Sequence, residues 1–575
     1  MRRYLKLFSL LLALVMVLPM AASAQEIWKP YDEQGNPLRT DRDATGENGV
    51  VASSNFYASR AGLSILEKGG NAIDAAIATA YAIGVVEPYT SGLGGGGFML
   101  IHSAETGEDV FIDFREVAPS LATPALWPIG EDGKVIGGQT SEGGKSVGVP
   151  GEVAGLEYAL EKYGSMSRQE VMQPAIDLAT EGFLVSFNMN AAATDSYDYM
   201  IKYPELGHYY LDELGLPYEI GHNYTNPDLA KTLKMIAENG KDAFYKGEVA
   251  QAFVNTVQKY GGVITLQDLE NYEVKVREPV KSTYRGYQLI SAPPASSGGT
   301  HLIEILNILE NFDLKAMEPS SAPALHLFSE AFKMAFADRS KYMADSDFQD
   351  VPLKGLTSKE YAKLLADKID PEKSGTYEAD DPYKYQSGST THFSIADKQG
   401  NMVAVTKTIN YFWGSKVAIE GYGFIANDEM DDFVPGTESV NRIEGGKRPL
   451  SSMTPTVILT AEGKPFMTVG SPGGTRIFPT VAQVISHVID HGMTIQEAID
   501  APRIFDNAGN KIVFEGGAMG LTPETVAALE AMGHAVEDRG EWNLYFGGVQ
   551  GIVYQEDGTL HGGADPRRDG KALGF

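Results

Sequence analysis

Ser389-Thr390-Thr391-His392-Phe393-Ser394-Ile395-Ala396-Asp397 is the stretch at which the chain changes character. Before it, residues 374–389 are polar and aperiodic, with Thr376-Tyr377-Glu378-Ala379-Asp380-Asp381-Pro382 among them, as in an exposed loop. After it, residues 391–397 and 402–409 read as two strands joined by Lys398-Gln399-Gly400-Asn401, which predicts a hairpin. Thr390 thus stands where an exposed loop enters the first strand of a sheet. A threonine hydroxyl is a poor nucleophile without a base. Once the peptide bond in front of it is open, its own α-amine, with a pKa of about 8, can take the proton. Attack of the Thr390 hydroxyl on the preceding carbonyl would open the Ser389–Thr390 bond with no outside protease. Taken alone, Thr-Thr-His at a strand start is an ordinary strand, so the neighbouring segments must carry the argument. His392, two residues on, shares the face of Thr390 but lies roughly 6–7 Å away, too far for a direct hydrogen bond, and a structural role is expected for it.

Upstream, residues 49–52 read as a short strand, and 57–68 and 72–85 as alanine-rich helices separated by Gly69-Gly70. Ser91-Gly92-Leu93-Gly94-Gly95-Gly96-Gly97 leads into Phe98-Met99-Leu100-Ile101, answered by Val110-Phe111-Ile112-Asp113-Phe114 across Glu105-Thr106-Gly107, a second hairpin. From about 151 to 370 the pattern is mainly helical, including 152–163, 226–239, 246–260 and 301–311. Downstream come strands at 456–459 and 466–469, a helix at 480–489 and a closing helix and strand at 523–532 and 547–554. The texture is α+β, with helix-covered sheets on both sides of the 374–389 loop.

Composition removes several classes of function. At 575 residues the chain is long enough to bury a large core. Its 47 basic and 76 acidic residues leave a net charge of −29, which repels phosphate backbones and anionic membranes and argues against a nucleic-acid partner. Arg2, Arg3 and Lys6 precede an apolar run over 7–20 and then Ala22-Ser23-Ala24 before Gln25, the pattern of a signal peptide over 1–24 and of export to a periplasm or the medium. That run is shorter than the roughly 20 residues of a spanning helix, so no membrane span is expected in the mature protein. With no cysteine there is no thiol nucleophile, disulfide or cysteine-ligated metal, and the ten histidines show no H-E-x-x-H spacing. No metal or other cofactor is expected.

Three short motifs fail on context. Gly92, Gly94 and Gly97 fit G-x-G-x-x-G, but the run opens a strand, whereas a pyrophosphate needs a helix N-terminus. Gly144-Lys145-Ser146 lacks the first glycine of a phosphate loop, since Gln139 stands there. Gly144-Lys145-Ser146-Val147-Gly148 spells G-x-S-x-G, yet Pro150 and Gly151 follow at once and favour a plain loop. Other segments keep their chemistry. Gly470-Ser471-Pro472-Gly473-Gly474-Thr475-Arg476 could turn backbone N–H groups toward a developing oxyanion. Arg115, just past a strand, could fork onto a carboxylate, although a surface salt bridge is the blander reading. Asn427-Asp428-Glu429-Met430-Asp431-Asp432-Phe433 offers carboxylates for an ammonium, against the alternatives of solvated turn acidity or a calcium loop whose spacing it misses.

Together these segments, with Gly94-Gly95-Gly96-Gly97-Phe98-Met99, Asp113-Phe114-Arg115 and Arg448-Pro449-Leu450-Ser451-Ser452-Met453, resemble the γ-glutamyltransferase (glutathione hydrolase) family of N-terminal-nucleophile enzymes from about Val50 to Phe575. The resemblance implies a four-layer αββα sandwich made by two subunits, 25–389 and 390–575, that form a heterodimer after self-cleavage. It implies Thr390 as nucleophile with Thr408 hydrogen-bonded to it, and Arg115 on the substrate α-carboxylate with Ser451 and Ser452. It places Asn410, Glu429 and Asp432 on the α-ammonium, and the N–H groups of Gly473 and Gly474 in the oxyanion hole. The implied donors are glutathione and related γ-glutamyl compounds, and the acceptors are water, amino acids or dipeptides. Only thirteen residues separate Phe433 from Lys447, fewer than in relatives whose loop covers the pocket, so an open site is expected. The alternatives are a related acylase or poly-γ-glutamate depolymerase on the same scaffold, or an exported binding protein without activity.

Overall fold

The structure is a computed structural model that describes residues 28–32, 36–377, 390–509 and 511–575. The expected signal peptide and Ser389, with most of the loop before Thr390, lie outside the described residues. Thr390–Asp397 is a strand, and all eight of its residues are buried. It is buried on both faces and both edges because it is an interior strand of an antiparallel sheet, between Met402–Thr408 and Gly49–Ser53. The full order is Lys571–Gly574, Gly49–Ser53, Thr390–Asp397, Met402–Thr408, Gly96–His102, Asp109–Asp113 and Lys275–Arg277.

Side-chain alternation along these strands sorts residues to two faces. Val51, Met99, Ile101, Phe393, Ile395, Val403 and Val405 join one core with the helices Phe56–Glu67, Ala72–Val86, Glu152–Tyr163 and Arg168–Glu181. Val50, Ala52, Phe98, Leu100, Ala396 and Met402 point the other way, into a second core. There they meet a second antiparallel sheet, ordered Ala44–Gly46, Leu560–Ala564, Gln550–Tyr554, Pro465–Gly470, Thr456–Leu459, Tyr287–Ser291 and Val280–Tyr284. The helices Gly298–Leu309, Ala322–Tyr342 and Ile477–Ile489 cover its outer side in the same core. Helices, sheet, sheet, helices is the four-layer αββα arrangement that the family resemblance implies.

Both sheets mix strands from before and after position 390. The Thr390–Asp397 and Met402–Thr408 pair is held between Gly49–Ser53 and Gly96–His102, and Thr456–Leu459 lies against Tyr287–Ser291. Opening the chain before Thr390 leaves all these ladders intact, so the two parts stay together by backbone hydrogen bonds and shared cores.

The region 151–370 is mainly helical, as its pattern predicts, and also contains short strands. Val280–Tyr284 and Tyr287–Ser291 form a hairpin at the edge of the second sheet. Gly144–Ser146 is a single 3-10 turn rather than a nucleophile elbow, and the Ser146 hydroxyl is used on the Gly143 carbonyl at 2.7 Å. His392 is structural: its ring lies between the Thr406 hydroxyl at 2.8 Å and the Ser394 hydroxyl at 3.2 Å, and burial pulls its pKa down to about 3. Among the described residues no helix is long and apolar enough to cross a membrane.

Candidate active site

Thr390 and Thr408 are direct partners in the strand ladder, so their side chains are neighbours across the pair. The Thr390 hydroxyl donates to Thr408 Oγ1 at 3.4 Å, and the Asn410 N–H donates to the same oxygen at 2.8 Å. Asn410 has a φ of 74°, which asparagine tolerates better than most residues, and this sharp exit from the strand turns its side chain to the Asp428 carbonyl at 3.1 Å. All three residues line one cleft.

Arg115 is buried in that cleft, which excludes the surface salt bridge. Asp113 captures its backbone N–H at 3.0 Å and Tyr272 its carbonyl at 2.9 Å, so the turn after the Asp109–Asp113 strand aims the side chain inward. Its guanidinium contacts Glu429 through Nη1 and Asp432 through Nη2, and Nε donates to the Pro449 carbonyl at 3.3 Å. The cation expected on a carboxylate and the acids expected on an ammonium therefore hold one another here. A zwitterionic amino-acid head has the two charges needed to part them. Burial drives the Glu429 carboxyl upward and the Arg115 contact opposes it, while the surrounding acids hold Arg115 protonated. Glu116 lies behind this pair with neither carboxylate oxygen hydrogen-bonded to the protein, and burial pushes its pKa up to about 8.

Asn427 holds the acidic segment in place. Its Nδ2 donates to the carbonyls of Gly94 at 2.7 Å and Gly148 at 2.9 Å, and its Oδ1 accepts from the N–H groups of Gly148 at 2.8 Å and Glu429 at 3.0 Å. Gly94 is close-packed here, since a Cβ would stand 2.1 Å from the Ile425 carbonyl oxygen. Asn427→Ala strands buried backbone groups on three segments and is expected to cost about 2–4 kcal/mol. Chemical denaturation would show this as a lower midpoint, accompanied by a raised KM because the Glu429 backbone loses its anchor.

Ser451 and Ser452 line the cleft opposite in chemical character. The Ser451 hydroxyl oxygen accepts from the Met453 N–H at 3.0 Å, and that of Ser452 accepts from Arg339 Nη2 at 3.1 Å. Each hydroxyl has one hydrogen, which is left to donate to something in the cleft, and an anion is the natural acceptor. Gly473 and Gly474 turn the chain at φ of 130° and 58° into the helix Ile477–Ile489. A φ of 130° is glycine territory. Among the described residues no backbone carbonyl takes the N–H of either glycine. Gly474 borders the cleft with Thr475, and Gly473 stands one residue behind.

Two polar lining residues escape the sequence reading. Asn441 bonds the Asp432 carbonyl at 2.7 Å and the Leu450 N–H at 3.1 Å, tying the acidic segment to the serines. It belongs to the short 434–446 stretch, which therefore contributes to the cleft wall. Arg339 lies within the helix Ala322–Tyr342, where nothing local distinguishes it from a surface cation.

One set of side chains among the described residues has the composition of a metal site: His326, Glu330 and His534. Its members are already engaged. The two rings bond each other at 2.7 Å, and Glu330 accepts from Lys333 Nζ at 2.7 Å, the Tyr377 hydroxyl at 2.7 Å and the Gly375 N–H at 3.0 Å. A cation there would face the Lys333 ammonium, and the cluster reads as a clamp on residues 370–377.

Comparison with known proteins places this geometry. The family model for gamma-glutamyltranspeptidase matches residues 58–575. The chain belongs to the gamma-glutamyltranspeptidase family. It is 42% identical over 538 residues to the glutathione hydrolase proenzyme of Escherichia coli strain K12, covering 91% of this chain and 90% of that one. It is 39% identical over 578 residues to the glutathione hydrolase proenzyme of Bacillus subtilis strain 168, covering 97% and 95%. Among solved structures, cephalosporin acylase from Bacillus halodurans superimposes with a TM-score of 0.85 at 29% identity, over 95% of this chain and 99% of the other. The αββα sandwich is thus shared by a gamma-glutamyltranspeptidase family member and an acylase.

Proposed function

We propose that this protein is an exported proenzyme that opens its Ser389–Thr390 bond and uses Thr390 for γ-glutamyl transfer and hydrolysis. The observation that carries the reading is the position of the Thr390 hydroxyl, at the end of a buried strand, in a cleft that also holds two guanidiniums, three acids and two donating hydroxyls. That set complements both ends of an amino-acid head and leaves the side-chain amide for the nucleophile. In the cleaved form the α-amine of Thr390 takes the hydroxyl proton as the oxygen attacks the γ-carbonyl, and Thr408 steadies that oxygen. Negative charge then builds on the carbonyl oxygen, where the Gly473 and Gly474 N–H groups would receive it. The amine leaves with the proton, and water, an amino acid or a dipeptide resolves the γ-glutamyl ester. Glutathione and related γ-glutamyl compounds are the donors. The 25–389 and 390–575 subunits remain a heterodimer, and no step calls on a cofactor.

A second reading, a related acylase, is favoured by the high structural similarity to the Bacillus halodurans protein. The two differ in the head group, because a glutaryl amide has no ammonium and wastes Glu429 and Asp432. Turnover of γ-glutamyl-p-nitroanilide, polyglutamate and a glutaryl amide is therefore compared directly. The proposal expects the first to be fastest, and a preference for the glutaryl amide would overturn it.

A further inference from the structure

Arg115 is held by Glu429 and Asp432 in the cleft, and a carboxylate arriving there meets further donors beside it. Ser451 and Ser452 have hydrogens to give, and the group that sets both of them is Arg339. Its Nη2 donates into Ser452 Oγ at 3.1 Å. Its Nε donates to Ser297 Oγ at 2.9 Å, and Ser297 passes its own hydrogen to the Ser451 carbonyl at 2.7 Å. The Ser297 N–H reaches the same carbonyl at 2.9 Å, while the Ser451 N–H is held by the Ala295 carbonyl at 3.0 Å. Arg339 is buried and lines the same cleft as Thr390.

We infer that Arg339 is the positioning residue that makes this end of the cleft select an α-carboxylate, by turning the Ser452 hydroxyl toward the ligand and adding a second positive charge beside it. An oxygen whose lone pair is filled by a guanidinium N–H must direct its own hydrogen elsewhere, and here the cleft is what remains. The guanidinium charge then favours an anion over a neutral group at that place, in a setting where water screens weakly. The inference rests on the proposed amino-acid-head reading of the site but adds a residue from the Ala322–Tyr342 helix, which the sequence motifs do not contain.

The test uses L-glutamate and γ-aminobutyrate, which differ by the α-carboxylate alone, titrated by NMR into the full cleaved protein so that turnover is not needed. Wild type should prefer glutamate. Arg339→Met should lower that preference about tenfold to a hundredfold, the worth of hydrogen bonds to a charged group, and Arg339→Lys should restore part of it. Equal weakening of both ligands in Arg339→Met would mean a structural role only and would overturn the inference. Ser452→Ala gives a second check should Arg339→Met fail to mature. It must lose most of the preference itself, and an unchanged preference in Ser452→Ala also overturns the inference. Wild-type turnover of γ-glutamyl-p-nitroanilide is read separately. Activity with an Arg339-independent glutamate preference sinks this inference alone, whereas no activity with the preference intact sinks the proposed reaction alone.

Discussion

Thr390→Ala yields one continuous chain on a denaturing gel and a loss of γ-glutamyl-p-nitroanilide turnover of about a thousandfold or more, the scale seen when a nucleophile acting with its base is removed. The substitution takes away the oxygen that attacks twice, first on the chain itself and then on the donor. It should do little to the fold. Thr390 pairs with Thr408 through backbone at the end of a strand, its hydroxyl bond is a long 3.4 Å, and only a hydroxyl and a methyl are lost. The thermal midpoint of the uncut variant therefore stays close to that of a freshly made wild-type precursor. Thr390→Ser keeps the oxygen and should still split, which separates chemistry from packing. N-terminal sequencing of the smaller wild-type band should begin Thr390-Thr391-His392. A variant that lacks the hydroxyl yet splits at this bond would refute the self-cleavage chemistry.

Some of this site is legible in the sequence because its residues leave local marks. Thr390 marks a shift from polar loop to strand, and Gly473-Gly474 mark a turn whose first φ, 130°, is glycine's own. The interior strands are equally legible, since short runs rich in Val, Ile, Thr and Phe on either side of Lys398-Gln399-Gly400-Asn401 have few other readings. The Val280–Tyr284 strand is less so, because as an edge strand it exposes alternate residues and sits inside a helical region. Arg115 and Glu429 are 314 residues apart, and their pairing follows from tertiary closure alone. The expected roles kept cation and acids apart, each waiting for substrate, and only the assembled cleft reveals that they neutralise one another in the meantime. Arg339 leaves no mark at all. The Ala322–Tyr342 helix is buried along most of its length, and a buried arginine in it is equally compatible with a core salt bridge and with a cleft wall.

Arg115→Met should be the most damaging single change to stability at this site, and its effect should depend on pH with a definite sign. Arg115 is the counter-ion of Glu429, which is almost fully enclosed, and of Asp432, whose side chain is 23% exposed. Removing one partner of a buried ion pair leaves the other charge without compensation and costs about 3–5 kcal/mol. Burial already drives the Glu429 carboxyl above its ordinary range, and with the guanidinium gone that drive is unopposed by its nearest cation. An acid whose folded pKa lies above its unfolded value penalises folding at pH above both values, and the penalty fades as pH falls and the carboxyl takes a proton. The deficit in thermal midpoint between Arg115→Met and wild type should therefore be largest near pH 8 and shrink toward pH 5. Arg115→Lys, which keeps a charge but cannot contact both acids as a planar fork, should fall between them in stability and still bind donor poorly. The double variant Arg115→Met with Glu429→Gln should recover part of the stability, because the stranded charge is removed with its partner. A deficit that is flat across pH 5 to 8, or a double variant less stable than Arg115→Met, would show that Arg115 contributes through packing and not as the charge that holds the two acids together.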